Sequence, residues 1–281
     1  VIGVAMVFLV KEDFNAQEKC RAIMEYEVIK SGMNLFGWRQ VPVTYSIIGE
    51  KANYTRPEIE QLIFSPKEKN TNIEKTLYLT RRRIENKIKS LNISNFYICS
   101  LSTEVIVYKG MFLAEQLSSF YPDLLDPDFK SKFAVYHQRY STNTFPTWSL
   151  AQPFRVLAHN GEINTLKGNL NWMKAHETRI TDDFFGDRVE DLKPILDSDA
   201  SDSASLDAAF EILLQTDRSL PMTKSMIIPE SWSNNNDMPD ELKKMYAYCN
   251  AVIEPWDGPA AVCANFGDWI ISGMDRNGLR P

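Results

Sequence analysis

The sequence predicts an α+β layered fold, and three observations carry that expectation. Apolar, strand-like runs sit at both ends of the chain, at residues 1–10 and at 260–266 and 269–274. Helical 3.6-residue spacing dominates between them. Two short apolar runs in the middle, Phe133–Tyr136 and Phe154–Ala158, each run into a polar cluster, as strands do when they deliver side chains to a site. Strands at the ends with helices between suit layered packing rather than alternating βαβ units.

The elements follow in order. Residues 1–10 (VIGVAMVFLV) read as a buried strand, because the run is too short to span a bilayer and has no basic residues before it to mark a signal peptide. Asn15 can cap a helix over 16–31, with Cys20, Ile23, Met24 and Val28 on one face and Gly32 as the stop. Residues 36–43 read as extended. Residues 73–91 show helical spacing at Ile73, Leu77, Ile84, Ile88 and Leu91. The opposite face carries Arg81, Arg82, Arg83, Lys87 and Lys89, read as a solvated face, with a docking patch for another domain as the alternative. Residues 95–100 and 104–108 look like a hairpin, and 121–129 like a loop. After the central stretch, a helix starts near Asn164 with Leu166, Leu170 and Met173 on one face. Residues 181–193 read as a surface connection. Asp197–Ser205 leads into a helix bearing Leu206, Phe210, Leu213 and Leu214, and 231–239 is a polar loop. The strands at 260–266 and 269–274 meet at Gly267-Asp268.

Composition narrows the function classes. The 281 residues are 44% hydrophobic and 24% charged, as in a globular protein with a substantial core. A net charge of −6 with no basic cluster argues against nucleic-acid and anionic-membrane partners. The four cysteines show no CxxC spacing and the three histidines no zinc-like spacing. Reduced thiols inside a cell are expected, without a disulfide framework or metal site.

The chemistry is concentrated in residues 133–177. Arg139 offers a planar fork of donors that fits a carboxylate with two parallel hydrogen bonds. Asn160-Gly161, at a strand end, offers an amide donor beside an unhindered backbone N–H, the ingredients of an oxyanion hole. A tight turn is the plainer use of that dipeptide. Aspartate before a helix is expected as an N-cap, but one cap does not account for Asp197, Asp199 and Asp202 together. A carboxylate there could pair with a ligand ammonium, or Asp202 and Arg139 could pair with each other.

With these residues in view, a resemblance is clear. HQRYSTNTFPTW at 137–148, AQPFRVLAHNGEINTLKGNLNWM at 151–173, SDSASLD at 201–207, EPWDGPA at 254–260 and DRNGLRP at 275–281 resemble the glutaminase domain of glutamate synthases. These are class II glutamine amidotransferases within the N-terminal-nucleophile hydrolases. The match runs along nearly the whole chain and is weakest over 11–130. Asn143-Thr144 and the details of 165–169 favour glutamate synthases over relatives that make glucosamine phosphate, phosphoribosylamine or asparagine.

The resemblance implies a four-layer α/β/β/α sandwich, truncated at its N-terminus, with residues 1–281 forming part of one glutaminase domain. It implies that Arg139, helped by Ser141 and Thr142, holds the α-carboxylate of glutamine. Asp202 pairs with the α-ammonium, and Asn160 and the Gly161 N–H stabilise the tetrahedral oxyanion. It also implies ammonia transfer to a synthase domain of the same chain, with FMN and an iron–sulfur cluster there and no cofactor or metal in these residues. A reductase subunit or ferredoxin would be the electron partner, in the cytoplasm or a plastid. One departure stands out. The family's nucleophile is an N-terminal cysteine, whereas this sequence begins with Val1 and contains no Cys-Gly pair. The chain therefore reads as cut at both ends, with a catalytically inactive module that binds glutamine or a partner as the alternative.

Overall fold

The computed structural model describes residues 1–68, 72–138, 145–181 and 185–280. Its element order is β1 (Gly3–Leu9), α1 (Phe14–Lys30), β2 (Met33–Gln40), α2 (Glu50–Tyr54), β3 (Glu58–Pro66), α3 (Ile73–Ser90), β4 (Tyr97–Ser102) and α4 (Leu117–Phe120). Then come β5 (Leu157–Gly161), α5 (Leu166–Glu177), α6 (Asp202–Leu214), α7 (Leu220–Ile227), α8 (Asp240–Val252), β6 (Ala260–Phe266) and β7 (Trp269–Met274). The strands form two antiparallel sheets, ordered β2-β3-β1-β4 and β5-β6-β7.

β1 is a continuous apolar run because both of its faces are covered. Ala5, Val7 and Leu9 point towards α1 and α3, packing with Met24, Val28, Leu77 and Ile84. Met6 and Phe8, on the opposite face, pack with Ile59, Phe120, Tyr121 and Trp148. A third core cluster joins the other sheet to its helices: Leu157, Val262 and Ala264 meet Leu206, Phe210, Met226, Ile227, Cys249 and Trp256. The chain is thus an α+β structure with helices packed on both sheets, as the sequence predicts.

Five local expectations are corrected. Asp13, not Asn15, caps α1, its Oδ1 accepting the Ala16 N–H at 2.9 Å; Asn15 lies inside the first turn. Residues 104–108 and Phe133–Tyr136 form no strand. Phe133 and Tyr136 remain 39% and 79% exposed, so their apolar pattern is not matched by a burying partner among the described residues. The strand expected at Phe154–Ala158 begins at Leu157. Before it, the chain bends, closed by Phe154 N–H donating to Leu157 O at 2.9 Å. The connection at 181–193 is partly core, with Phe185, Val189 and Leu192 buried.

The basic face of α3 is corrected too. Lys89 is the most exposed of these five cations, with 68% of its side chain in solvent, and its ammonium lies 3.4 Å from the surface carboxylate of Asp197. Arg81 is buried and donates to Glu85 at 2.8 Å and to Glu211 of α6 at 2.7 Å. Arg82 donates to the Leu192 carbonyl at 3.1 Å and also to that of Pro194, and Arg83 pairs with Asp191. Arg155, just before β5, joins the cluster through Glu85 at 3.0 Å and the Ile98 carbonyl at 2.7 Å. Burial works against the Glu85 carboxylate, but the guanidinium groups of Arg81, Arg155 and Arg82 outweigh it and hold Glu85 at about 2. The face expected to be solvated is therefore largely covered by segments of the same chain, and these contacts give no evidence of a docking patch for another domain.

Removing one member of a buried ion cluster leaves its partners uncompensated. Arg81→Met is expected to cost about 3–5 kcal/mol in urea unfolding, whereas Lys89→Met stays within about 0.5 kcal/mol. Equal effects would show that Arg81 is solvated like its neighbour.

Candidate functional site

The site is built on β5 and on what holds its two sides. Among the described residues β5 is an edge strand, and its register with β6 sets Asn160 opposite Ala261 and Gly161 opposite Ala260. Asp275 engages both main-chain groups of Ala260: its N–H donates to Ala260 O at 2.7 Å, and its Oδ1 accepts from Ala260 N at 3.0 Å. Those groups therefore point away from β5. By the alternation of an antiparallel ladder, the Gly161 N–H also points away from β6, to the open edge of β5.

That edge is partly closed by a side chain. The Gln152 carboxamide accepts from His159 N at 2.7 Å and donates to His159 O at 2.8 Å, acting as a one-residue strand. Upstream, the Asp207 carboxylate accepts from Val156 N at 2.8 Å and Leu157 N at 3.0 Å. Burial and the nearby Glu211 push Asp207 up to about 6, against the pull of Arg155 and those two N–H donors.

Side chains then alternate along β5. His159 points inward and is 1% exposed, its Nδ1 2.8 Å from Ser203 Oγ in the first turn of α6. Asn160 points outward and is exposed. Ser201 caps α6, and Asp202 is its first residue. Asp202 is buried, with Oδ2 accepting from Ile163 N at 2.9 Å and Oδ1 from Ser203 N at 2.7 Å. The start of α6 is thereby tied to the backbone two residues beyond Gly161. Asp197 and Asp199 stay at the surface, with Asp199 N donating to Asp197 Oδ1 at 3.1 Å, so only Asp202 of the three turns inward.

Beyond Asn160 the chain crosses residues 257–259 at close range. Glu162 N donates to Pro259 O at 2.9 Å and Asn164 N to Asp257 O at 2.8 Å. A Cβ on Gly161 would lie 1.8 Å from Pro259 O, and one on Gly258 2.0 Å from Glu162 O; their φ values are 153° and 150°. The EPWDGPA segment backs this crossing. Trp256 is buried, Asn169 donates to Pro255 O at 3.0 Å, and His176 meets Glu254 at 2.7 Å. A side-chain contact that the motifs do not announce reaches Asn160 itself: Arg280 donates to its Oδ1 at 2.9 Å.

The structure thus brings together Asn160, Gly161 and Asp202. Arg139, Ser141 and Thr142 lie outside the described residues. A cavity of about 1270 Å³, bordered by Lys109, Tyr136, His137 and Phe154, lies beside the approach to β5, and neither Asn160 nor Asp202 lines it. Cys20, Cys99 and Cys249 are buried and Cys263 half-buried. Burial pushes the Cys20 and Cys99 thiols up to about 11 and 12 and raises the other two, so none is a ready nucleophile. Among the described residues, no group of three or more His, Cys, Asp or Glu is placed to hold a metal ion, and no helix is long and apolar enough to cross a membrane.

Two layers of helix-backed antiparallel sheet, with an Asn-Gly strand end beside a buried helix-start aspartate, define a class, and comparison with known proteins names it. The family description "Glutamine amidotransferases class-II" matches residues 1–281, and the chain belongs to that family; its α+β sandwich is of the N-terminal-nucleophile hydrolase type. Among curated relatives, it is 56% identical over 282 residues to the glutamate synthase [NADPH] large chain of Azospirillum brasilense, covering 100% of this chain and 19% of that protein. It is 43% identical over 285 residues to the Bacillus subtilis glutamate synthase [NADPH] large chain, covering 99% of this chain and 18% of the relative. It is 42% identical over 285 residues to the chloroplastic ferredoxin-dependent glutamate synthase of rice, with 99% and 18% coverage. The chain spans about a fifth of the length of these relatives.

Gly161→Ala and Gly258→Ala are each expected to destabilise by more than about 2 kcal/mol, from overpacking and backbone strain together. Gly168→Ala, on an open face of α5, is expected to be neutral or to stabilise by up to about 1 kcal/mol. Urea unfolding midpoints measure all three, and a neutral Gly161→Ala would contradict the close crossing.

Burial lowers the His159 pKa below its ordinary 6.5. Asp202 pulls it up, while His137 and Arg280 push it down. The unfolded chain therefore takes up this proton first. The stability tied to neutral His159 is complete above 6.5 and is lost as the pH falls through its depressed value. Between pH 7.5 and 5.5, the parent is expected to lose more unfolding free energy than His159→Asn, which keeps a nitrogen near Ser203 but does not titrate. Identical losses would contradict this.

Proposed function

We propose that residues 1–281 are the glutaminase domain of a glutamate synthase, hydrolysing glutamine to glutamate and ammonia. The observation that carries this reading is the pairing, at one strand end, of an Asn-Gly donor pair with a buried aspartate tied to the same turn. The family match along the whole chain supports it.

On this reading, the Arg139 fork, with Ser141 and Thr142, binds the α-carboxylate of glutamine. Asp202 takes the α-ammonium and fixes the substrate's other end. When a thiolate attacks the side-chain amide carbon, the carbonyl oxygen gains negative charge and meets Asn160 Nδ2 and the Gly161 N–H. Collapse of that intermediate expels ammonia and leaves a thioester, and attack by water releases glutamate and restores the thiol. The thiol is the family's N-terminal cysteine, and the four buried or half-buried thiols here are unsuited to that part.

The ammonia would pass to a synthase domain of the same protein and convert 2-oxoglutarate to glutamate. FMN and an iron–sulfur cluster would supply the electron chemistry there, fed by ferredoxin or a reductase subunit, in the cytoplasm or a plastid. The cysteines of this chain do not fit a cluster, because Cys20, Cys99 and Cys249 are buried in three different apolar clusters and Cys263 is half-buried apart from them, so no step here runs through either group.

Asn160→Ala in the complete enzyme tests the reading. Glutamine-dependent kcat is expected to fall about 10²–10³-fold with little change in KM, the size of losing one oxyanion donor. Ammonia-dependent glutamate formation should survive. A parallel fall in both activities would mean that Asn160 is only a turn residue.

A further inference from the structure

The DRNGLRP segment at 275–281 has no assigned part in this chemistry, yet its described residues form a built loop. Asp275 is its hub. Besides Ala260 N, its carboxylate accepts from Asn277 N at 3.0 Å, Leu279 N at 3.1 Å and Arg280 N at 3.2 Å. Burial disfavours the Asp275 carboxylate, but these backbone donors prevail and hold its pKa below the ordinary value. Gly278, at φ 62°, allows the loop to turn back. The loop is therefore pinned to the start of β6, directly opposite Gly161, and it delivers the Arg280 guanidinium to Asn160 Oδ1 at 2.9 Å.

That contact has a directional consequence. A guanidinium only donates, so the Asn160 atom that meets it must be the carbonyl oxygen. Turning the amide over would set N–H against N–H. The Nδ2 donor is thus left as the end of the carboxamide that faces away from Arg280. The ion pair of Arg276 with Asp257, in the segment crossing Gly161, holds the same loop from its other side.

We infer that Arg280 is the positioning residue for Asn160, locking its carboxamide so that Nδ2 is presented to the developing oxyanion. This rests on the oxyanion role proposed above for Asn160. Arg280 itself makes no bond to substrate; it removes the alternative amide orientation before substrate arrives and adds a positive charge behind the donor.

A double-mutant cycle in the complete enzyme tests this, using Asn160→Ala, Arg280→Met and both together, with glutamine-dependent and ammonia-dependent rates on each preparation. Arg280→Met is expected to lower glutamine-dependent kcat by about 10-fold or more, bounded by the 10²–10³-fold loss of the donor itself. KM should hold within about twofold, and ammonia-dependent activity should be retained. In the Asn160→Ala background, the same change should add nothing, because there is no longer an amide to orient. Equal fold losses in both backgrounds, or a raised KM at unchanged kcat, overturn the inference while leaving the Asn160 role standing. An Asn160→Ala variant with unchanged kcat overturns both. Should Arg280→Met lose both activities through misfolding, Arg280→Lys decides: its donor-only head group is expected to retain more glutamine-dependent kcat than Arg280→Gln, whose amide can also accept. Equal or reversed losses contradict the orienting role.

Discussion

The whole arrangement depends on a close backbone crossing. Where Gly161 and Gly258 pass, each peptide stands where the other's side chain would be, and backbone hydrogen bonds from Glu162, Asn164 and Thr165 to the 257–259 segment seal the contact. This crossing brings the end of β5 against the start of β6. It turns Ile163 back towards Asp202 and sets the Arg280 loop over Asn160. A side chain at either glycine would separate these segments and, with them, the donors and the carboxylate.

Around that crossing, polar groups do structural work that apolar packing could not. Gln152 occupies the open edge of β5, Asp207 holds the bend before it, and His159 reaches inward to Ser203. The buried cluster of Arg81, Glu85, Arg155 and Glu211 joins α3 to α6 and to the residues leading into β5. Such clusters add little net stability over apolar equivalents, because desolvation offsets attraction. They do impose geometry, since each member must find its partner.

Much of the fold was legible because burial leaves a periodic trace. β1 reads as continuous apolar sequence because both of its faces are covered, and α3 shows its stripe at Leu77, Ile84 and Ile88. The misread segments are those where local pattern and tertiary partner part company. Phe133–Tyr136 has a strand's composition without a strand neighbour among the described residues, and Arg81 has a surface residue's chemistry with a core residue's burial. In the site, Asn160, Gly161 and Asp202 could be singled out because their residue types suit the chemistry. Arg280 could not. Its partner is 120 residues away, and although DRNGLRP is among the motifs that carry the resemblance, nothing in its residue types points to Asn160.

On the function proposed here, the Asn160-Gly161 strand end receives the substrate oxygen. The most direct measurement is a crystal structure of the complete enzyme with glutamine's acyl group trapped as a tetrahedral adduct on the nucleophile. The adduct oxygen is expected at about 2.7–3.1 Å from both Asn160 Nδ2 and Gly161 N, with Asn160 Oδ1 still on Arg280. An adduct oxygen turned away from this strand end, or bound to Asn160 only after its amide has rotated off Arg280, would contradict it.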